Sequence, residues 1–169
     1  MKTLYLMRHG KSSRDIPGLC DFDRPLAPRG RLDAPLMGKL LAKQKLSVDR
    51  IVSSPAVRAI DTARIIAREL TVSDARIVTD KRIYQAGTRI LLGVVKEMQD
   101  SVSSVLLFGH NPGFTDFANY LASCDIENIP TCGIVRIDLD VSHWKQVAKD
   151  KGILVAFEYP KKYKETKAN

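Results

Sequence analysis

Thr3-Leu4-Tyr5-Leu6-Met7-Arg8-His9-Gly10 opens the chain with five residues of strand character that run straight into two cations and a glycine. Thr3 to Met7 reads as a buried strand, since a short apolar run bounded by polar residues has the length of a strand rather than a helix. The same layout returns twice. Arg50 to Val52 is a short apolar strand followed by Ser53-Ser54-Pro55, with Arg58 one turn further on. Val105 to Phe108 is another, followed by Gly109-His110-Asn111-Pro112. Between the strands lie segments of helical spacing. Leu32, Leu36, Met37, Leu40 and Leu41 mark one over about 31–45, where Pro35 makes the start doubtful. Val57, Ile60, Ile65 and Ile66 mark the buried face of a second, and Ile90 to Met98 gives a third. Ser54-Pro55 and Asn111-Pro112 both read as a side-chain cap followed by proline at the first helical position. The helix after Asn111 runs to about Ala122. Ile77-Val78, Gly133 to Leu139 and Ile153 to Phe157 complete the strands.

This alternation predicts an α/β fold, a three-layer α/β/α sandwich around a mostly parallel central sheet. The 169 residues suffice for one domain with its own core, expected over 1–160, followed by a basic tail over 161–169 carrying Lys161, Lys162, Lys164 and Lys167. Apolar residues make up 44% and charged ones 27%, ordinary for a globular chain. No apolar run nears the roughly 20 residues of a membrane span. The stretch Leu4 to Met7 ends in Arg8 without a leader's cleavage site, so a cytoplasmic location is expected and no membrane partner. Cys20, Cys124 and Cys132 are odd in number and lack metal-binding spacing; they read as structural thiols. The net charge of +8 suits either nucleic acid or a phosphorylated partner. The cations are scattered, and no basic motif interleaved with aromatics occurs, so no nucleic-acid role is expected.

Ligands of open α/β sheets bind beyond the carboxyl ends of the strands. Arg8, His9, Arg58 and His110 are therefore expected to meet in one cationic pocket. Arginine forks fit phosphate oxygens in pairs. The helix starts at Ser54 and Asn111 would add backbone N–H groups, and Gly10 lets the chain turn closely around the ligand. The expected ligand is an anion, most simply a phosphoryl group. No cysteine phosphate loop, Walker loop or two-metal carboxylate cluster is present, which leaves histidine as the nucleophile. His9, at a strand end, is better placed than His110, which would donate to phosphoryl oxygens. Plainer roles compete: Arg58 as a surface partner of Asp61, His143 beside Trp144 as structural, Ser53 and Ser54 as caps rather than nucleophiles.

Arg8-His9-Gly10 after a first strand, Ser-Ser-Pro-x-x-Arg over Ser53 to Arg58, and a later Gly109-His110 together resemble the histidine phosphatase superfamily. The short length and Asp-x-x-Arg-Pro-Leu, Asp21 to Leu26, are most similar to its SixA-type phosphohistidine phosphatases. The resemblance implies a phosphoglycerate-mutase-like fold, transient phosphorylation of His9, and phosphoryl binding by Arg8, Arg58 and His110. It places Asp21 and Arg24 at the pocket border and implies neither metal nor organic cofactor. Relatives that cleave esters bring a carboxylic acid from a mid-chain segment, where this chain has Tyr84-Gln85-Ala86. Gln85 cannot donate a proton as an acid does. That tilts the expected substrate towards a phosphohistidine-bearing protein, although Asp15, Asp21 or Asp80 stay open as acids. The alternatives are a phosphatase of small phosphate esters and a phosphate-binding module without turnover.

Overall fold

The computed structural model describes residues 1–164. Six strands and five α-helices are formed among them. The strands are β1 (Lys2–Arg8), β2 (Arg50–Ser53), β3 (Ile77–Thr79), β4 (Ser104–Gly109), β5 (Ile134–Leu139) and β6 (Gly152–Glu158). They form one sheet in the order β3-β2-β4-β1-β5-β6. β3, β2, β4 and β1 run parallel, while β5 and β6 add an antiparallel edge. The sheet is therefore mostly parallel, as the alternation predicts, with β5 antiparallel to β1 and β6 antiparallel to β5 at one edge.

The helices are α1 (Pro28–Lys43), α2 (Val57–Glu69), α3 (Thr88–Lys96), α4 (Gly113–Ala122) and α5 (Pro160–Lys164). They cover both faces. Alternate residues of a strand point to opposite sides, and β1 divides accordingly. Leu4 and Leu6 pack with Leu91, Val94, Phe114 and Phe117 of α3 and α4. Tyr5 and Met7 pack with Met37, Leu41, Ala63 and Ile66 of α1 and α2. No helix among the described residues is long and apolar enough to cross a membrane.

Several boundaries differ from expectation for local reasons. α1 starts at Pro28 rather than near Arg31, because Pro28 takes the first helical position, where its missing N–H costs nothing. Pro35 stays inside that helix, and Leu32, expected inward, is 73% exposed. The buried face of α1 is instead Gly30, Asp33, Ala34, Met37, Gly38 and Leu41. α2 begins at Val57 and α4 at Gly113, so their caps, Ala56 and Pro112, lie two residues and one residue beyond the expected Ser54 and Asn111. Ser54 Oγ accepts from the N–H of Ala56, closing a turn ahead of the helix. Lys161, Lys162 and Lys164 are exposed on α5, and Tyr163 packs on the core between them. Lys164 ion-pairs with the fully buried Asp33. Lys167 lies outside the described residues.

Candidate active site

Register sets the site. Arg8 of β1 lies opposite Gly109 of β4, and Ser53 of β2 lies opposite Phe108, so the three parallel strands end side by side. The next residues, His9, Ser54 and His110, then leave the sheet together. Backbone bonds carry the ladder one step further: the His9 N–H donates to the Gly109 carbonyl at 3.1 Å and the Ser54 N–H to Phe108 at 2.9 Å. The two imidazoles come within 5.2 Å, centroid to centroid.

His9 is fixed by what lies behind it. Its Nδ1 is 2.7 Å from the Gly10 carbonyl, which can only accept, so Nδ1 carries the proton and Nε2 keeps its lone pair. That Nε2 accepts from Arg58 Nε at 3.3 Å. Gly10 is held by its own N–H, which donates to Thr62 Oγ1 at 2.9 Å. A Cβ on Gly10 would stand 3.0 Å from Leu26 and 3.2 Å from Cys132 Sγ. Glycine is thus demanded by the packing beneath the loop, a reason different from the close turn around a ligand.

Arg58 is 6% exposed on the first turn of α2. Its NH1 donates to the Asp21 carbonyl at 2.6 Å and its NH2 to Asp21 Oδ2 at 2.9 Å. The surface pairing with Asp61 does not form; Asp61 pairs with Arg64. Asp21 is carried by a loop pinned at its base, where Ser13 donates to Pro25 and Ala27 to Lys11. Its carboxylate also accepts from Arg24 NH1 at 2.9 Å and from the Tyr84 hydroxyl at 2.7 Å. Those bonds, the tyrosine's foremost and then the Arg58 and Arg24 charges, hold Asp21 down at about 2.

His110 Nε2 lies 2.8 Å from Ser54 Oγ, while its Nδ1 and the Nε of Arg8 are buried without a partner among the described residues. The other end of Arg8 donates to the Ile129 carbonyl at 3.0 Å. Asn111 lines the cleft, but its amide is committed to Asn128 and Ile129, and its oxygen to Thr115. The resulting cleft, about 230 Å³, brings together Arg8, His9, Asp21, Arg24, Arg58, His110 and Asn111. Lys11 and Arg14 join them. These two were missed, although Lys11 directly after Arg-His-Gly, with Arg14 three residues on, was a signal. Tyr84 and Ser54 were missed as site contacts. Gln85 donates towards Tyr84, and Asp80 is taken up by Arg82. His143 sits against Asp100, away from the cleft.

A family model of the histidine phosphatase superfamily (branch 1) matches residues 4–84. An uncharacterized protein of Mycobacterium tuberculosis is 33% identical over 165 residues, covering 92% of this chain and 100% of the relative. The chain belongs to the histidine phosphatase superfamily. Among solved structures, the candidate phosphohistidine phosphatase SixA of Agrobacterium tumefaciens superposes with a TM-score of 0.79 at 27% identity, over 94% of this chain and 98% of that one. The protein histidine phosphatase SixA complexed with tungstate gives 0.77 at 23% identity, over 95% and 99%, a likeness of fold. This histidine phosphatase therefore has the phosphoglycerate-mutase-like fold of the SixA structures. The family match ends before His110, whose arrival in the cleft follows from the pairing of β1 with β4.

Both histidines are neutral in the folded phosphatase. Burial is the main cause, holding His9 at about 3, with His110, Arg58 and Arg8 adding repulsion against the Gly10 bond. Burial and then Arg58 hold His110 at about 4. Unfolded histidine takes its proton near 6.5. Between there and about 4 the unfolded chain binds protons that the folded one refuses, so stability is complete above that range and drains as pH falls. Near pH 5 the slope of unfolding free energy against pH is expected to approach two protons, about 2.7 kcal/mol per pH unit. Urea titrations between pH 7 and 5 measure it, and His110→Asn should remove about half of that slope.

Proposed function

We propose that this phosphatase hydrolyses phosphohistidine on a protein, with Nε2 of His9 as the group that receives the phosphoryl. The observation that carries the reading is the locked His9 ring, with its proton on Nδ1 and the lone pair of Nε2 met by Arg58 at the cleft wall. In the first step the Nε2 lone pair forms a bond to phosphorus, and the electron pair of the substrate's P–N bond returns to the departing ring. In the second, water attacks phospho-His9, releasing inorganic phosphate and restoring the imidazole. Arg8, Arg58 and His110 hold the non-bridging oxygens, where phosphoryl transfer places most of its charge. For His110 this has Ser54 donating to Nε2, so that Nδ1–H faces the anion as donor.

The choice of phosphohistidine rests on the missing acid. An alkoxide leaving group needs a proton, and Asp21, the carboxylate lining the cleft, is ionised far below neutral pH. An imidazole ring brings its own proton. The proposed setting is the cytoplasm, with a phosphorylated protein as partner.

Rates measured side by side on a phosphohistidine protein and on phosphorylated sugars and glycerates test the proposal. Turnover of the first should exceed that of the others by at least about tenfold in kcat/KM. Faster turnover of the esters would move the enzyme to small-molecule substrates, and binding without phosphate release in a single turnover would make it a recognition module.

A further inference from the structure

The carboxylate of Asp21 is an odd presence beside a pocket for anions. It lies on the loop over the cleft, its side chain 44% exposed, with Arg24, Arg58 and Tyr84 each donating to it. A carboxylate has about four lone-pair positions, so three donors leave one for a ligand. The same negative charge repels a phosphoryl dianion at close range, which makes Asp21 costly unless it meets something positive on the substrate. Tyr84 keeps it in place: the ring stands edge-on to His110 at 5.4 Å and to Phe22 at 5.1 Å, a wall that turns the phenol towards Asp21.

A phosphorylated imidazole supplies the positive partner. When its free ring nitrogen is protonated, the ring carries a full cation, and the P–N bond then breaks to give a neutral imidazole that still holds that proton. We propose that Asp21 accepts the N–H of the departing imidazolium, keeping it protonated until the P–N bond has broken, and thereby selects phosphohistidine over phosphate esters. The inference rests on the proposed reading of the substrate. No proton passes to or from Asp21 in this step. The substrate's P–N electron pair goes to the ring nitrogen that held phosphorus, and the ring's own proton stays on the other. An aryl ester offers no N–H to Asp21 and leaves as an anion that the carboxylate opposes.

The groups facing Asp21 restrict what can titrate. Arg24 comes from its own loop, Arg58 from α2 and Tyr84 from the segment before α3, while Arg8, Lys11, Arg14, His9 and His110 complete the cleft. His9 and His110 are already neutral above pH 5. The bond to Asp21, with burial, raises the Tyr84 phenol above its ordinary range, so a falling limb of kcat near neutral pH reports the bound substrate ring losing its proton.

Asp21→Asn, Asp21→Glu and the unchanged enzyme are compared on a phosphohistidine peptide and on p-nitrophenyl phosphate, after circular dichroism establishes that each variant is folded. Asp21→Asn should lower the ratio of the two kcat/KM values at least about tenfold, since the amide keeps the shape and loses the charge. It should also move the alkaline limb of kcat on the peptide about one pH unit lower, while Asp21→Glu restores both in part. An equal fall on both substrates with an unmoved limb would overturn the inference, leaving Asp21 as a support for Arg58. Failure of the unchanged enzyme to cleave the peptide would instead sink the substrate reading on which it stands.

Discussion

Alanine in place of His9 is expected to end turnover, with kcat lower by on the order of 10⁴-fold or more. The loss is this large because nothing nearby can take over. Cys132 lies directly beneath the loop, but burial pushes its thiol up to about 12, too high for a thiolate at neutral pH. Ser54 is bonded to His110 and to the backbone of Ala56, and Ser53 donates to the Ser54 carbonyl. His110, with Ser54 donating to its Nε2 and the proton on Nδ1 in the proposed arrangement, has no lone pair free for attack. The measurement is trapping of an acid-labile, base-stable phosphoenzyme during turnover, together with steady-state rates. Label should vanish in His9→Ala and persist in Asn111→Ala, whose amide is spent on the Ile129 loop. Undiminished label in His9→Ala refutes the assigned nucleophile. The fold should survive, because the lost side chain contacts the Gly10 carbonyl, Arg58 and His110 at the edge of the cleft and takes no part in the apolar core.

What made this site legible was periodicity at strand ends. Three apolar runs, each followed at once by polar residues, place those residues at one edge of a parallel sheet whatever the helices between them do. The Arg8, His9 and His110 positions needed no more than that. Arg58 needed one further step, the helical turn after Ser54-Pro55, and the step survived although the helix begins two residues late. Side-chain roles were less legible. Ser54 has the composition of a helix cap, and only the register of β2 against β4 brings its hydroxyl to His110. Leu32 reads as inward because large apolar residues weigh most in a spacing pattern; the buried stripe keeps Met37 and Leu41 but adds Gly30, Asp33, Ala34 and Gly38, which such a pattern ignores. The burial of Asp33 was hidden for a related reason. Its partner Lys164 comes from the far end of the chain, where a run of lysines looks like solvent-facing charge. Long-range pairs of this kind leave no local trace.

Arg58 tests the other half of the proposed mechanism. Its guanidinium does three things at once: Nε meets Nε2 of His9, the proposed attacking nitrogen, at 3.3 Å, and NH1 and NH2 grip the carbonyl and carboxylate of Asp21. No other side chain among the described residues bridges the two. Arg58→Ala should cost about 10³-fold in kcat/KM, the scale of losing an arginine that meets transferring charge. Arg58→Lys discriminates the cause. Lysine keeps the charge but offers one compact donor head in place of a planar fork, so it can neutralise a phosphoryl oxygen or hold Asp21, not both. A loss of about 10²-fold is expected for it, with inorganic phosphate inhibiting less strongly in both variants. Losing this guanidinium also removes the second of the bonds that keep Asp21 ionised, so the carboxyl should titrate higher, though Tyr84 and Arg24 still hold it below its ordinary range. If Arg58→Lys ran within about threefold of the unchanged enzyme, positive charge alone would suffice at this place. The fork's geometry, and with it the coupling between nucleophile and leaving-group side of the cleft, would then have no part in the rate.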